Sequence, residues 1–179
     1  AALRPFGGTG SKGNGGAMRA PPLGAYLAHD LDAVVEAARR SARPTHAHPE
    51  GEAGAVAIAV AAALAARMAA GVEPRDGAAL LRGVHARTPD GAVKAGIGEA
   101  MRLPADADTR AAAAALGNGG PELADDTVPL CLWAVARHLE GDVDLLMDET
   151  GDRRRLGLLL QPRPEPREVT HVAADLVET

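Results

Sequence analysis

Cysteine, aromatic residues and isoleucine are nearly missing from this chain of 179 residues. Its single cysteine, Cys131, excludes a disulfide framework and a thiolate metal cluster, and with them a zinc finger. A lone thiol fits a reducing, cytoplasmic setting. Three aromatics and two isoleucines leave little of what favours strands. An excess of positive charge is lacking too: 19 Lys and Arg stand against 24 Asp and Glu, a net charge of -5. Nucleic acid is therefore not an expected partner. No basic start followed by an apolar run marks a signal peptide. The most apolar uncharged stretch, residues 53–66, falls about a turn and a half short of a bilayer span and is only weakly lipophilic. It reads as a buried helix, and no membrane partner is expected.

Alanine is what the chain has in abundance. Forty residues are Ala, with 20 Leu and 13 Val supplying most of the remaining apolar surface. Alanine has the highest helix propensity of all residues, so an all-α chain with a thin, closely packed core is expected. The opening stretch through Gly16 is too rich in glycine for a regular helix and reads as a loop. Helices are expected at residues 22–28, and at 31–41 with Asp30 as cap and Pro44 as stop. A long small-residue helix follows the Pro49-Glu50-Gly51-Glu52 start and runs to Ala70, with Gly71 after it. Small residues nearly all round it imply a central position with neighbours on several sides. Further helices are expected at 75–86, 92–102 and 108–116, and from Asp126-Thr127 to Leu139. No fixed-period repeat argues for a solenoid. After Thr150 come three arginines and alternating prolines, which read as an extended tail, with a marginal helix over 168–178.

Three segments could carry chemistry. The first is Gly10-Ser11-Lys12-Gly13-Asn14-Gly15-Gly16-Ala17-Met18-Arg19. Closely spaced glycines let backbone N–H groups approach an anion, and a following helix start would add partial positive charge. The segment lacks the Gly-Lys-Ser/Thr of a nucleotide-binding P-loop and is not preceded by a strand, and a plain flexible connection is the alternative. The second is Thr45-His46-Ala47-His48-Pro49. His46 and His48 are possible metal ligands without a third nearby, and a structural or ligand-contacting role before a helix is the other reading. The third is Asp125-Asp126-Thr127-Val128-Pro129 followed by Trp133. It offers either a hard oxygen set suited to Mg²⁺ or acids at a helix N-cap.

Taken together the segments resemble the ADP-ribosylglycohydrolase family. Residues 10–19 look like its GS-x-GNG-x-AMR segment, residues 45–49 resemble its TH-x-HP segment, and residues 126–133 its DTVP-x-x-x-W segment. Residues 50–64 are similar to the small-residue helix that follows the second of these. Four motifs in order make the resemblance specific from about Gly10 to His138.

The resemblance implies an all-α helical bundle. It also implies hydrolysis of the bond between ADP-ribose and a protein side chain, with two Mg²⁺ ions as cofactors and ADP-ribose or an ADP-ribosylated protein as partner. It assigns Gly10, Ser11, Lys12, Gly13, Asn14 and Gly15 to the loop that holds the diphosphate and distal ribose, with His46 near that ribose. By the same resemblance, Asp126-Thr127 is a helix start rather than a metal site.

The family's metal centre comprises an N-terminal Thr-Asp-Asp-Thr and a C-terminal Gly-Asp-x-Asp-Thr segment. The first would lie upstream of Ala1. For the second the candidates are Asp152, with the better spacing, and Asp142 with Asp144, which come early. Three arginines after Asp152 would repel a cation. The expected organisation is thus a family domain over residues 1–152, incomplete at both ends, with a divergent Arg/Pro-rich tail over 153–179 that resembles a frameshifted or degraded end. Turnover by this chain alone is not expected. The alternatives are an inactive ADP-ribose-binding remnant and a helical interaction domain without a nucleotide site.

Overall fold

The computed structural model describes residues 8–104 and 106–139, all within the first of two compact units, Ala1–Gly141. The marginal helix expected over 168–178 lies outside the described residues, as do Asp142, Asp144 and Asp152. Among the described residues the structure is all-α: eight helices, no strand, and one isolated antiparallel bridge between Gly13 and Leu123.

The helices are α1 (Gly15–Met18), α2 (Pro21–Tyr26), α3 (Leu31–Ala42), α4 (Pro49–Ala69), α5 (Gly77–Arg87), α6 (Ala92–Ala100), α7 (Thr109–Leu116) and α8 (Ala124–His138). Short polar side chains start several of them. Asp30 accepts from the backbone N–H groups of Asp32 and Ala33, Asp76 from that of Ala79, and Asp108 from that of Ala111, each satisfying first-turn donors that have no partner within the helix. Asp76 as cap explains why α5 begins two residues later than the expected start at Arg75.

Helix α4 is the centre. It is long and apolar enough to cross a membrane by length and composition. Here that apolar surface is covered by α1, α2, α3, α5, α6 and α8, which pack around it. Small residues set the separations. A Cβ on Gly24 of α2 would stand 2.0 Å from the Ala59 carbonyl oxygen, and one on Gly54 of α4 would stand 2.9 Å from the Ala124 Cβ. Small-residue faces allow this approach, and the largest side chains held fully out of solvent are Leu80, Ile97 and Leu132. A satellite cluster of Ala100, Ala112, Leu116 and Trp133 joins α6, α7 and α8.

Two expectations need correction at helix ends. Gly15 and Gly16, expected in the loop, form the first half of α1, a single four-residue turn. Helix α8 starts at Ala124, with Leu123 at the N-cap and Asp126 inside the first turn, so Asp126 is not the cap. Pro129 then falls inside the helix rather than in its first turn. It removes the donor that would meet the Asp125 carbonyl, and its ring packs where a Cβ on Gly96 would lie, 2.5 Å from Cγ.

Candidate functional site

Three segments distant in sequence converge beside the N-terminal ends of α4 and α8. The glycine loop reaches the histidine segment because glycine stands wherever the two backbones meet. Gly10 has a φ of 78°, and a Cβ there would lie 2.8 Å from the Ala47 Cβ and from the Ala47 and His48 nitrogens. That positive φ and that contact both favour glycine. A Cβ on Gly51, in the first turn of α4, would lie 2.6 Å from the Ser11 carbonyl oxygen. At Gly15 it would lie 2.9 Å from His46 Nε2, and at Gly13 3.6 Å from the same atom. His46 therefore faces the loop edge on, with its Nε2 toward Gly13 and Gly15.

The far side of the loop is held by the start of α8. The Asn14 backbone N–H donates to the Glu122 carbonyl at 2.9 Å, and the Ala124 N–H donates to the Lys12 carbonyl at 3.1 Å. Asn14 Nδ2 donates to Thr127 Oγ1 at 3.1 Å, and Lys12 Nζ pairs with Asp125 Oδ2 at 2.9 Å. The bond to Asp125 is the main reason the Lys12 ammonium is held above its ordinary pKa. The Gly13 N–H is taken by Ser11 Oγ at 3.1 Å. Two of the loop's backbone donors, those of Gly13 and Asn14, are thus engaged within the protein. With α1 only one turn long, the helix-start contribution to anion binding is small. Among the described residues Asn14 Oδ1 has no hydrogen-bond partner, so the residue retains an acceptor and one amide proton.

Arg19 closes the third side. One guanidinium nitrogen donates to the Gly15 carbonyl at 3.3 Å; the other donates to the Ser41 carbonyl at 3.2 Å and to the hydroxyl of Thr45. Thr45 Oγ1 in turn lies 2.8 Å from His46 Nδ1. Partial burial, and next the charge of Arg19, hold the His46 imidazole below its ordinary pKa and favour the neutral ring.

His48 has a different task. Its Nδ1 accepts the Glu50 N–H at 3.1 Å and caps α4. The possible His46–His48 metal pair is accordingly not assembled: one ring serves the helix end and the other faces the glycine loop. Glu50 serves a second helix, its two carboxylate oxygens accepting the Ala92 and Val93 N–H groups at 2.8 Å each at the start of α6. A carboxylate there satisfies two orphan donors and complements the helix dipole.

The adjacent acids of α8 bear on Mg²⁺. Asp125 Oδ1 and Asp126 Oδ2 are buried without a hydrogen-bond partner, a feature that suits a cation. Against it, the Lys12 ammonium already sits on Asp125, and no group of three or more His, Cys, Asp or Glu residues that could hold a metal occurs among the described residues. The described residues therefore do not fit the metal. The candidate ligands Asp152, Asp142 and Asp144 lie outside them.

Gly10, Ser11, Lys12, Gly13, Asn14, Gly15 and His46 are thus brought into one cluster, and the structure adds Arg19, Thr45, Glu50 and Thr127. The motifs contain all four of these, but their partners lie up to 113 positions away in sequence, and no local spacing shows them. No curated protein sequence matches the chain. A family model described as ADP-ribosylglycohydrolase matches residues 1–154. With that match over most of its length, the chain belongs to the ADP-ribosylglycohydrolase family.

Proposed function

We propose that the cluster of the glycine loop, His46 and the α8 start holds the ADP-ribose part of an ADP-ribosylated protein. The chemistry it serves is hydrolysis of the bond between that ADP-ribose and its acceptor. The observation that carries the reading is the three-sided anchoring of residues 10–15, against the histidine segment, α8 and Arg19. A loop held in one shape loses little entropy when it meets a ligand. Asn14 Oδ1 presents an acceptor to a hydroxyl and His46 Nε2 faces the loop, while the Lys12 ammonium is paired with Asp125 beside it.

The two Mg²⁺ ions that membership of the family implies would supply polarisation of the attacking water. No step by the described residues runs through them, since those residues do not fit a metal. Asp152 and, less well spaced, Asp142 and Asp144 are the ligands this chain offers. A second reading follows from the Lys12–Asp125 pair, which engages one of the two adjacent carboxylates Asp125 and Asp126: the chain binds ADP-ribose without hydrolysing its linkage.

Calorimetry with ADP-ribose, with and without Mg²⁺, tests both. Binding that is lost in Asn14→Ala supports the site. Release of ADP-ribose from a modified protein, abolished by EDTA, supports hydrolysis, whereas magnesium-independent binding without release supports the second reading. No binding under either condition overturns both and leaves a helical interaction domain.

A further inference from the structure

His46 has two ring nitrogens with different surroundings. Nδ1 lies 2.8 Å from Thr45 Oγ1. Nε2 has no hydrogen-bond partner among the described residues and is the atom that a Cβ on Gly15 or Gly13 would approach. Which nitrogen carries the proton decides whether the ring presents a donor or an acceptor to whatever the glycine loop holds.

Thr45 settles the choice through its own hydrogen-bond inventory. Its oxygen accepts from the Arg19 guanidinium, and its single proton then has two acceptors within reach: the Ala42 carbonyl at 3.4 Å and His46 Nδ1 at 2.8 Å. The second is the shorter and better hydrogen bond. A guanidinium donating to a hydroxyl also polarises its O–H and strengthens it as a donor. Arg19 is itself fixed by the Gly15 and Ser41 carbonyls, so the clasp joins the ends of α1 and α3 to the histidine segment.

From this geometry we infer that Arg19 and Thr45 are positioning residues that hold His46 as the tautomer with its proton on Nε2. That N–H is then directed to the Gly13–Gly15 side of the loop, as a donor to a ligand oxygen. The donor role rests on the proposed function; the tautomer does not. The neutral ring that a single tautomer requires is favoured by burial and by the neighbouring charge of Arg19, the charged group whose field acts on this imidazole.

Nitrogen NMR of the imidazole rings in the full chain, without ligand and at neutral pH, reads the tautomer, with His46 assigned by the signals lost in His46→Gln. The expected spectrum has a protonated Nε2 and an unprotonated Nδ1. In Thr45→Val the two nitrogens move toward an averaged position, and Thr45→Ser restores the wild-type pattern. A protonated Nδ1 in the wild type, or an unchanged pattern in Thr45→Val, overturns the assignment. For the donor role, Thr45→Val is expected to weaken ADP-ribose binding roughly two- to fivefold, the order of one neutral hydrogen bond. It should have no such effect in a His46→Gln background, where the amide is a donor that no tautomer governs. An equal loss in both backgrounds overturns the donor role. Absence of ADP-ribose binding by the wild type overturns that role and the proposed function together, while the tautomer is still decided by the spectrum.

Discussion

Asn14 Nδ2 donates to Thr127 Oγ1 at 3.1 Å, tying the glycine loop to the fourth residue of α8. The bond engages the Asn14 amide nitrogen and fixes the orientation of the amide. Thr127→Val removes the acceptor while keeping the shape. It is expected to lower stability by about 1 kcal/mol in urea unfolding and to weaken ADP-ribose binding, with Thr127→Ser near wild type. Unchanged binding in Thr127→Val would show that the amide needs no such tether.

Glu50 joins two helices, and its removal should be felt at the helix it does not belong to. Glu50→Ala leaves the Ala92 and Val93 N–H groups without their acceptor and is expected to cost roughly 1–2 kcal/mol. Hydrogen exchange should rise first at the start of α6. Loss of protection confined to α4 would contradict this account.

Two glycine-to-alanine changes separate close approach from backbone preference. In Gly24→Ala the new Cβ would meet the Ala59 carbonyl oxygen at 2.0 Å, backbone against backbone, so α2 has to move away from α4. A cost of about 3 kcal/mol or more is expected. Gly71 has a φ of 72° but open space around it, so Gly71→Ala should cost only about 1 kcal/mol, from the left-handed conformation alone. Thermal unfolding of the pair checks the ranking, which reverses if helix separation is soft.

Stability should depend on pH through His46. Its folded-state pKa lies below the ordinary value of 6.5, so the unfolded chain binds more protons as the solution becomes acidic. The contribution is fully present above the ordinary value and is lost as pH falls through the lowered one. Urea midpoints of the wild type and of His46→Gln, compared across mildly acidic pH, should diverge there, the wild type losing more. Parallel curves would show that His46 does not titrate differently on folding.

Local signals in the sequence marked most of the fold. Asp30 is a short polar residue before an apolar run and caps the helix expected after it, whereas Asp76 and Asp108, expected inside their helices, stand as caps just before α5 and α7. The alanine run after Pro49 reads as a central helix because small side chains on every face leave no polar surface to turn toward water, and α4 is enclosed by its neighbours. The start of α8 was not legible in the same way. Its first residues look like an acidic cap at Asp126, yet the helix begins at Ala124 because Lys12 and Gly13, over a hundred positions earlier, pair with Ala124 and Leu123.

The same division runs through the site. Residue type and spacing mark the glycine loop and the pair His46 and His48, and it is the resemblance of these motifs to the family that names Gly10 to Gly15 and His46 as ligand-holding residues. The sequence also determines the all-α character, through helix propensity and the scarcity of strand formers. Only the tertiary structure decides that His48 caps a helix while His46 faces the loop, that Lys12 neutralises Asp125, and that Arg19 reaches Thr45. Those facts depend on directional hydrogen bonds and contacts of a few ångströms between segments that become neighbours only after α1, α3 and α8 have packed on α4.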